Sequence, residues 1–207
     1  LASMGMTTAN DSAILMVSGN IVSNATDAGR LRVVSIGSGS YVGGNNSVAI
    51  GASAYTTADT AVAIGNSANA VQGATALGYL ASAISSNGSV AIGRDSSADH
   101  YCVVIGNSAT ADDRGVAVGM DASSEGGNSS IAIGNQAKAQ GAYSLALGKA
   151  AGAVTYDQSR AIRLGHASEA YENGIAIGIE ANAPKSGLVV VAGIGNSILS
   201  GQFNDTF

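Results

Sequence analysis

Tryptophan is absent from the 207 residues, proline and cysteine occur once each, and aromatics make up only 4%. Charged residues are nearly as scarce, at 11%. Each shortage removes a class of protein. A single cysteine, Cys102, closes no disulfide within the chain, so no disulfide framework holds the fold. Low charge beside 46% apolar residues argues against disorder, which needs high net charge and low hydrophobicity. Nine Lys and Arg against fourteen Asp and Glu leave a net charge of −5, with the cations scattered. Phosphate backbones demand clustered cations, so nucleic acid is not expected as a partner. The longest apolar runs, Ile14–Val17 and Leu188–Ala192, fall far short of the ~20 residues a membrane-spanning helix needs. No direct membrane insertion is expected of this segment. No charged stretch precedes an apolar one as in a signal peptide. The opening Leu1–Gly5 does not read as a natural start; it reads as a cloning remnant, and the chain as a piece of something longer.

Catalytic chemistry is equally thin. His100 and His166 are the only histidines, and neither has a partner at metal-ligand spacing. Asp99 beside His100 is the sole carboxylate–imidazole neighbour, and adjacent strand residues are expected to point to opposite faces. Nothing resembles a nucleophile elbow or a Ser-x-x-Lys box. Gly43-Gly44 and Gly126-Gly127 do not continue as calcium-binding nonapeptides. The expectation is a protein with no catalytic residue, no metal and no cofactor.

What is present is glycine, 29 residues of it, together with Ala, Val and Ile in a repeating order. A tetrapeptide of bulky, small, bulky and Gly ends at Gly51, Gly65, Gly93, Gly119, Gly134, Gly148 and Gly178, with weaker copies at Gly37, Gly78, Gly106 and Gly165. Successive spacings are 14, 14, 13, 15, 13, 13, 15, 14, 17 and 13. The residue before each of the eleven glycines is Ile, Leu or Val. Three residues after comes Ala or Ser, and five after comes Ala in eight copies. Period-two alternation means short strands, and glycine supplies the freedom a tight corner needs. Each unit therefore reads as strand, turn, strand, turn. A coiled coil is excluded, because the drifting spacing breaks the seam and a glycine in every unit costs a helix about 1 kcal/mol. Units this short bury no core alone and must stack into an all-β solenoid of roughly 14-residue coils. The bulky residues before each Gly, such as Ile50, Ile64 and Ile92, are expected to form an internal ladder, with the Ala and Ser rows opposite.

Asn46-Ser47-Val48-Ala49-Ile50-Gly51, followed at fixed offset by Ala-x-Ala, resembles the head repeat of trimeric autotransporter adhesins, the YadA-like head. The resemblance spans residues 34–183, with 1–33 expected as an N-terminal β segment and 184–207 as a C-terminal β segment or connector. It implies a left-handed parallel β-roll assembled as an intertwined homotrimer on the bacterial surface. It also implies adhesion to a host cell-surface protein, matrix or glycan. Neither the coiled-coil stalk nor the membrane anchor of that family is visible. The same repeat occurs in bacteriophage tail fibres, so a receptor-binding segment of a virion fibre is the alternative. A passive spacer projecting a binding tip is a further one.

Two irregularities single out residues. From Gly148 to Gly165 the unit grows to 17 residues, and insertions in a solenoid emerge on one face, often the binding face. Tyr156, Asp157 and Arg160 in that insertion are the candidate ligand contacts. In the middle position of the tetrapeptide, Ala in eight of eleven copies, the exceptions are Ser35, Val104 and Arg163. That row is expected to face either a neighbouring chain or solvent. On a shared axis three Arg163 guanidiniums would converge, and the site would need a carboxylate such as Glu169 or Asp157, or a trapped anion.

Overall fold

The structure, a computed structural model, describes residues 13–16, 21–22, 32–85, 88–152, 159–183 and 185–190. Among the described residues every regular element is a strand, two to four residues long. The chain forms two compact units, residues 1–101 and 102–207, built by the same rule.

In the first unit the long strands Ala13–Met16, Val33–Ile36, Val48–Ile50, Val62–Ile64, Thr75–Leu77 and Val90–Ile92 stack in parallel. A second parallel sheet is made of the two-residue strands from Ile21–Val22 to Ser97–Ala98, one per coil. In the second unit the long strands run from Val103–Ile105 to Leu188–Val190. Among the described residues its short strands pair as Thr110–Ala111 with Ser123–Ser124 and Glu169–Ala170 with Asn182–Ala183, with a lone bridge from Ser123 to Lys138. Between them Lys138 N–H donates to Ala151 O and Gly152 N–H to Ser168 O. Register never slips: Ala49 lies beside Ala63 and Ala63 beside Ala76. The expected parallel β-solenoid is what forms.

In the long strands the face that points inward is the reverse of the expectation, while the Ala and Ser rows after the glycines are inside as expected. The middle residue of each long strand is fully buried, as at Ala49, Ala63, Ala91 and Ala132. So are Ala54, Ala68 and Ala81 three residues after the corner glycines, and Ala70, Ala83 and Ala98 five after. Ile50, Ile64 and Ile92 stand on the outer face of the sheet and are only half-buried. The cause is coil width. Two strands joined by tight turns within about 14 residues bring the sheets close together, so methyl groups fill most of the gap. Val33, Val42 and Val104 are the buried branched apolar exceptions, and most other bulky apolar residues of the strands are turned out. Inward serines satisfy themselves locally: Ser47 Oγ donates to the carbonyls of Asn45 or Ala58, and Ser124 Oγ pairs with Ser130 Oγ at 2.7 Å.

The corner shows why glycine recurs. Gly51 has φ +133°, and a Cβ there would lie 2.3 Å from the carbonyl oxygen of Gly65 in the next coil. Its N–H donates to Ile36 O at 2.7 Å, and Ala54 N–H returns to Gly51 O at 3.2 Å. Between them Ser53 adopts φ 54°, held by a bond from its N–H to Ser38 O. Left-handed residues of any type occupy this place, including Leu80 and Glu180. Each coil thus carries conformational strain of ~1 kcal/mol or more at such a residue, offset by the inter-coil bond.

Gly51→Ala is expected to cost at least about 2 kcal/mol, since it combines backbone strain with a clash against backbone. Gly88→Ala, with φ +65° and nothing within 4 Å of the added methyl, should cost about 1 kcal/mol. Urea unfolding of the two variants measures the difference.

Candidate functional site: the outer rows and the Arg163 coil

Because the small residues face inward, each long-strand sheet presents two rows of branched side chains outward. In the second unit Val103, Ile105, Ile131 and Ile133 are 37–41% exposed in the single chain. In the first unit, taken by itself, Val48, Ile50, Val62 and Ile64 form half-buried rows of the same kind. Such a face is too apolar and too continuous for scattered surface residues. The short-strand face is more polar, except where Tyr41 and Tyr55, register partners, stack with ring centroids 4.5 Å apart. At the corners Tyr79, Leu80 and Ile84 are exposed in the first unit, and Tyr143 in the second.

The residues expected to matter fall in different places. Tyr156 and Asp157 lie outside the described residues. Arg160 is exposed, with φ 56°, and its N–H donates to Ala142 O at 2.8 Å. The seven glycines anchoring the clearest repeats are all corner residues; Gly51, Gly93 and Gly178, for example, have φ of 133°, 135° and 131°. Asp99 and His100 sit at a turn, so they do not diverge as strand neighbours would: His100 Nδ1 lies 3.0 Å from Asp99 Oδ1, in the open. Cys102 is fully buried. No group of three or more His, Cys, Asp or Glu able to hold a metal is found among the described residues.

Arg163 occupies neither of its two expected places. Its row faces the inside of the coil, and the side chain is fully buried there within a single chain. It stands in register with Ala146 and Ala176, where neighbouring coils hold a methyl group. The coil makes room through Gly152, a residue the sequence reading passed over. Gly152 is buried at φ +70°, and a Cβ on it would lie 2.8 Å from Arg163 Nη1. The only sequence signal is its position: four residues after the corner, other coils place Tyr55, Asn69, Lys138 or Glu169. Here Gly152 departs from strand geometry, and the guanidinium lies against it. None of Nε, Nη1 or Nη2 has a hydrogen-bond partner, and Ser144 Oγ in the adjacent coil has none either. Burial holds the guanidinium down to a pKa of about 10, with the half-buried Glu169 opposing that shift. The Glu169 carboxyl is in turn pushed up by burial and pulled back by Arg163.

Comparison with known families adds to this geometry. The family model for the YadA head domain repeat matches residues 34–54, 43–68, 72–96 and 126–151. These are YadA-like head repeats. Among solved structures, the collagen-binding domain of the Yersinia adhesin YadA is 28% identical, with a TM-score of 0.45. The alignment covers 79% of this chain and 76% of that one. No curated protein matches. The last matched YadA-like repeat stops at residue 151, one residue before Gly152 departs from strand geometry. Long strands with the same alternation continue beyond it, at Ile162–Leu164 and Ile175–Ile177.

Glu169 gives a pH test of the buried pair. A carboxyl whose pKa is higher folded than unfolded binds its proton more tightly when folded. Its ionised form therefore costs stability above that window, and the cost is relieved as pH falls through the raised value towards 4.5. Wild type should gain stability relative to Glu169→Gln over that descent, read as the difference between their urea midpoints at neutral and mildly acidic pH.

Proposed function

We propose that this chain is a non-catalytic head segment of an extracellular attachment fibre, assembled as a homotrimer through the outer rows of its long-strand sheets and adhering to a host surface protein, matrix or glycan. The observation that carries the reading is the pairing of YadA-like head repeats with an apolar face that the coil itself cannot cover. An ordinary solenoid puts its branched residues in its own core. Here the core holds mostly alanine and serine, and the branched residues of the outer rows are left for another copy of the chain.

The magnitudes favour assembly. Fully covering a Val, Leu or Ile side chain contributes ~1.5–3 kcal/mol relative to leaving it exposed. These positions are already half covered, so each gains roughly half of that on association. Two such residues per long strand, repeated along the chain, outweigh the ~4–15 kcal/mol that association costs in lost freedom.

Sedimentation equilibrium should give three times the chain mass of 20.1 kDa at micromolar concentration. Ile133→Asp separates assembly from folding, since Ile133 is 41% exposed in the single chain. The charge is tolerable in a monomer and costly in a covered face, so the variant is expected to sediment as a smaller species or to melt far earlier. A wild-type chain that is folded and monomeric overturns the assembly reading.

Adhesion is tested by binding of the purified trimer to immobilised matrix proteins and to arrayed surface glycans. Saturable binding, weakened in the Tyr156→Ala, Arg160→Ala double variant, is the expected result. Absence of binding across both panels leaves the spacer role.

A further inference from the structure

The outer rows belong to the proposed assembly, and the exposed tyrosines carry nothing that identifies an occupant. The buried guanidinium is different, because its chemistry states what it lacks. Arg163 offers five N–H donors and no acceptor, and it keeps its charge at any physiological pH. All three of its nitrogens are buried without a partner. A buried charge left in that state costs several kcal/mol, enough to threaten a coil whose core is rows of methyl groups.

Among the described residues no side chain supplies the counter-charge. No carboxylate of the described residues comes within ion-pair distance of Arg163; the four ion pairs found are Arg94–Asp95, His100–Asp99, Arg114–Asp113 and Lys185–Glu172. Glu169 acts on it only through space, and burial makes that carboxyl itself a reluctant anion. Two backbone carbonyls near Gly152 are engaged between coils: Ser168 O accepts from Gly152 N–H at 2.7 Å, and Ala151 O accepts from Lys138 N–H at 2.8 Å. The second buried orphan in these coils, Ser144 Oγ, belongs to a hydroxyl. It lies two residues before Ala146, the register partner of Arg163, and so faces the same interior. Guanidinium and hydroxyl can both donate, and the acceptor that also answers the guanidinium's charge is an anion.

Size narrows the class. Coil interiors here are filled mostly by alanine and serine, and the guanidinium itself fills the space left by the missing side chain of Gly152, so only a small ion could join it. We propose that the Arg163 guanidinium, buried beside Gly152 inside the second unit, is an internal anion site that takes a small monovalent anion of chloride size.

The test uses the full chain and chloride itself. Thermal midpoints are measured across a sodium chloride series at constant ionic strength, balanced with sodium gluconate, whose anion is too large for the coil interior. The wild-type midpoint should rise by about 3–6 °C for each tenfold increase in chloride above the dissociation constant. Arg163→Met, which keeps the length of the side chain without the charge, should be flat in the same series. A flat wild-type series, or parallel slopes for wild type and variant, overturns the site. Should Arg163→Met fail to fold, crystals of the wild type grown in sodium bromide decide the matter. An anomalous bromide peak within hydrogen-bond distance of the guanidinium supports the site, and its absence at saturating bromide overturns it.

Discussion

Two sheets closed on each other by tight turns leave an interior that a methyl group fills, and most other features of this protein follow from that width. Packed sheets in ordinary sandwiches stand about 10 Å apart because large side chains interdigitate between them. Here the inward positions are Ala49, Ala54, Ala70 and their counterparts in every coil. Each buried methyl contributes little, on the order of 0.8 kcal/mol by area. Stability must then come from repetition: the unbroken ladders between coils and the apolar surface displaced to the outside. The narrow core and the exposed outer rows are one fact seen from two sides.

Polar groups feel the same constraint. A serine fits an inward position because its hydroxyl can turn back to a nearby group, as Ser96 Oγ does to Gly93 O and Ser168 Oγ to Gly165 O. Where no such partner is near, the group is stranded, as Thr56 Oγ1 and Ser144 Oγ are. Arg163 is the extreme case, a long charged side chain in a space meant for a methyl. It is accommodated beside Gly152, whose missing side chain leaves the space the guanidinium fills.

Much of the fold was legible in the sequence. Eleven glycines in near-constant register identify coils, period-two alternation identifies strands, and the structure places both where the spacing puts them. The inward face was not legible. Val-Ala-Ile shows that two faces alternate but not which is the core, and the usual rule that bulky residues go inside fails in a coil this thin. The left-handed corner residues left no trace either, since Ser53, Leu80 and Glu180 share no chemistry; the place is fixed by a bond between coils. Arg163 was conspicuous as a departure from Ala, yet its location depended on the inward face and on Gly152, whose significance appears only beside the guanidinium.

The two corners of each coil are unequal, and the inequality governs how such a chain can change. From the corner glycine to the end of the short strand the count is fixed in the regular coils: Gly51 to Thr56, Gly65 to Ala70 and Gly119 to Ser124 each span the same interval. All variation in coil length, from 13 to 17 residues, falls after that strand and before the left-handed residue of the second corner, such as Thr60, Tyr143 or Arg160. That residue reaches back to the previous coil whatever the length between, as Thr60 N–H does to Asn45 O and Arg160 N–H to Ala142 O. One corner is a hinge pin with no slack, and the other is a clasp that closes over any length of cord. A lineage carrying this fold is therefore free to edit one edge of each rung by insertion and deletion, while the opposite edge records the count of coils and little else.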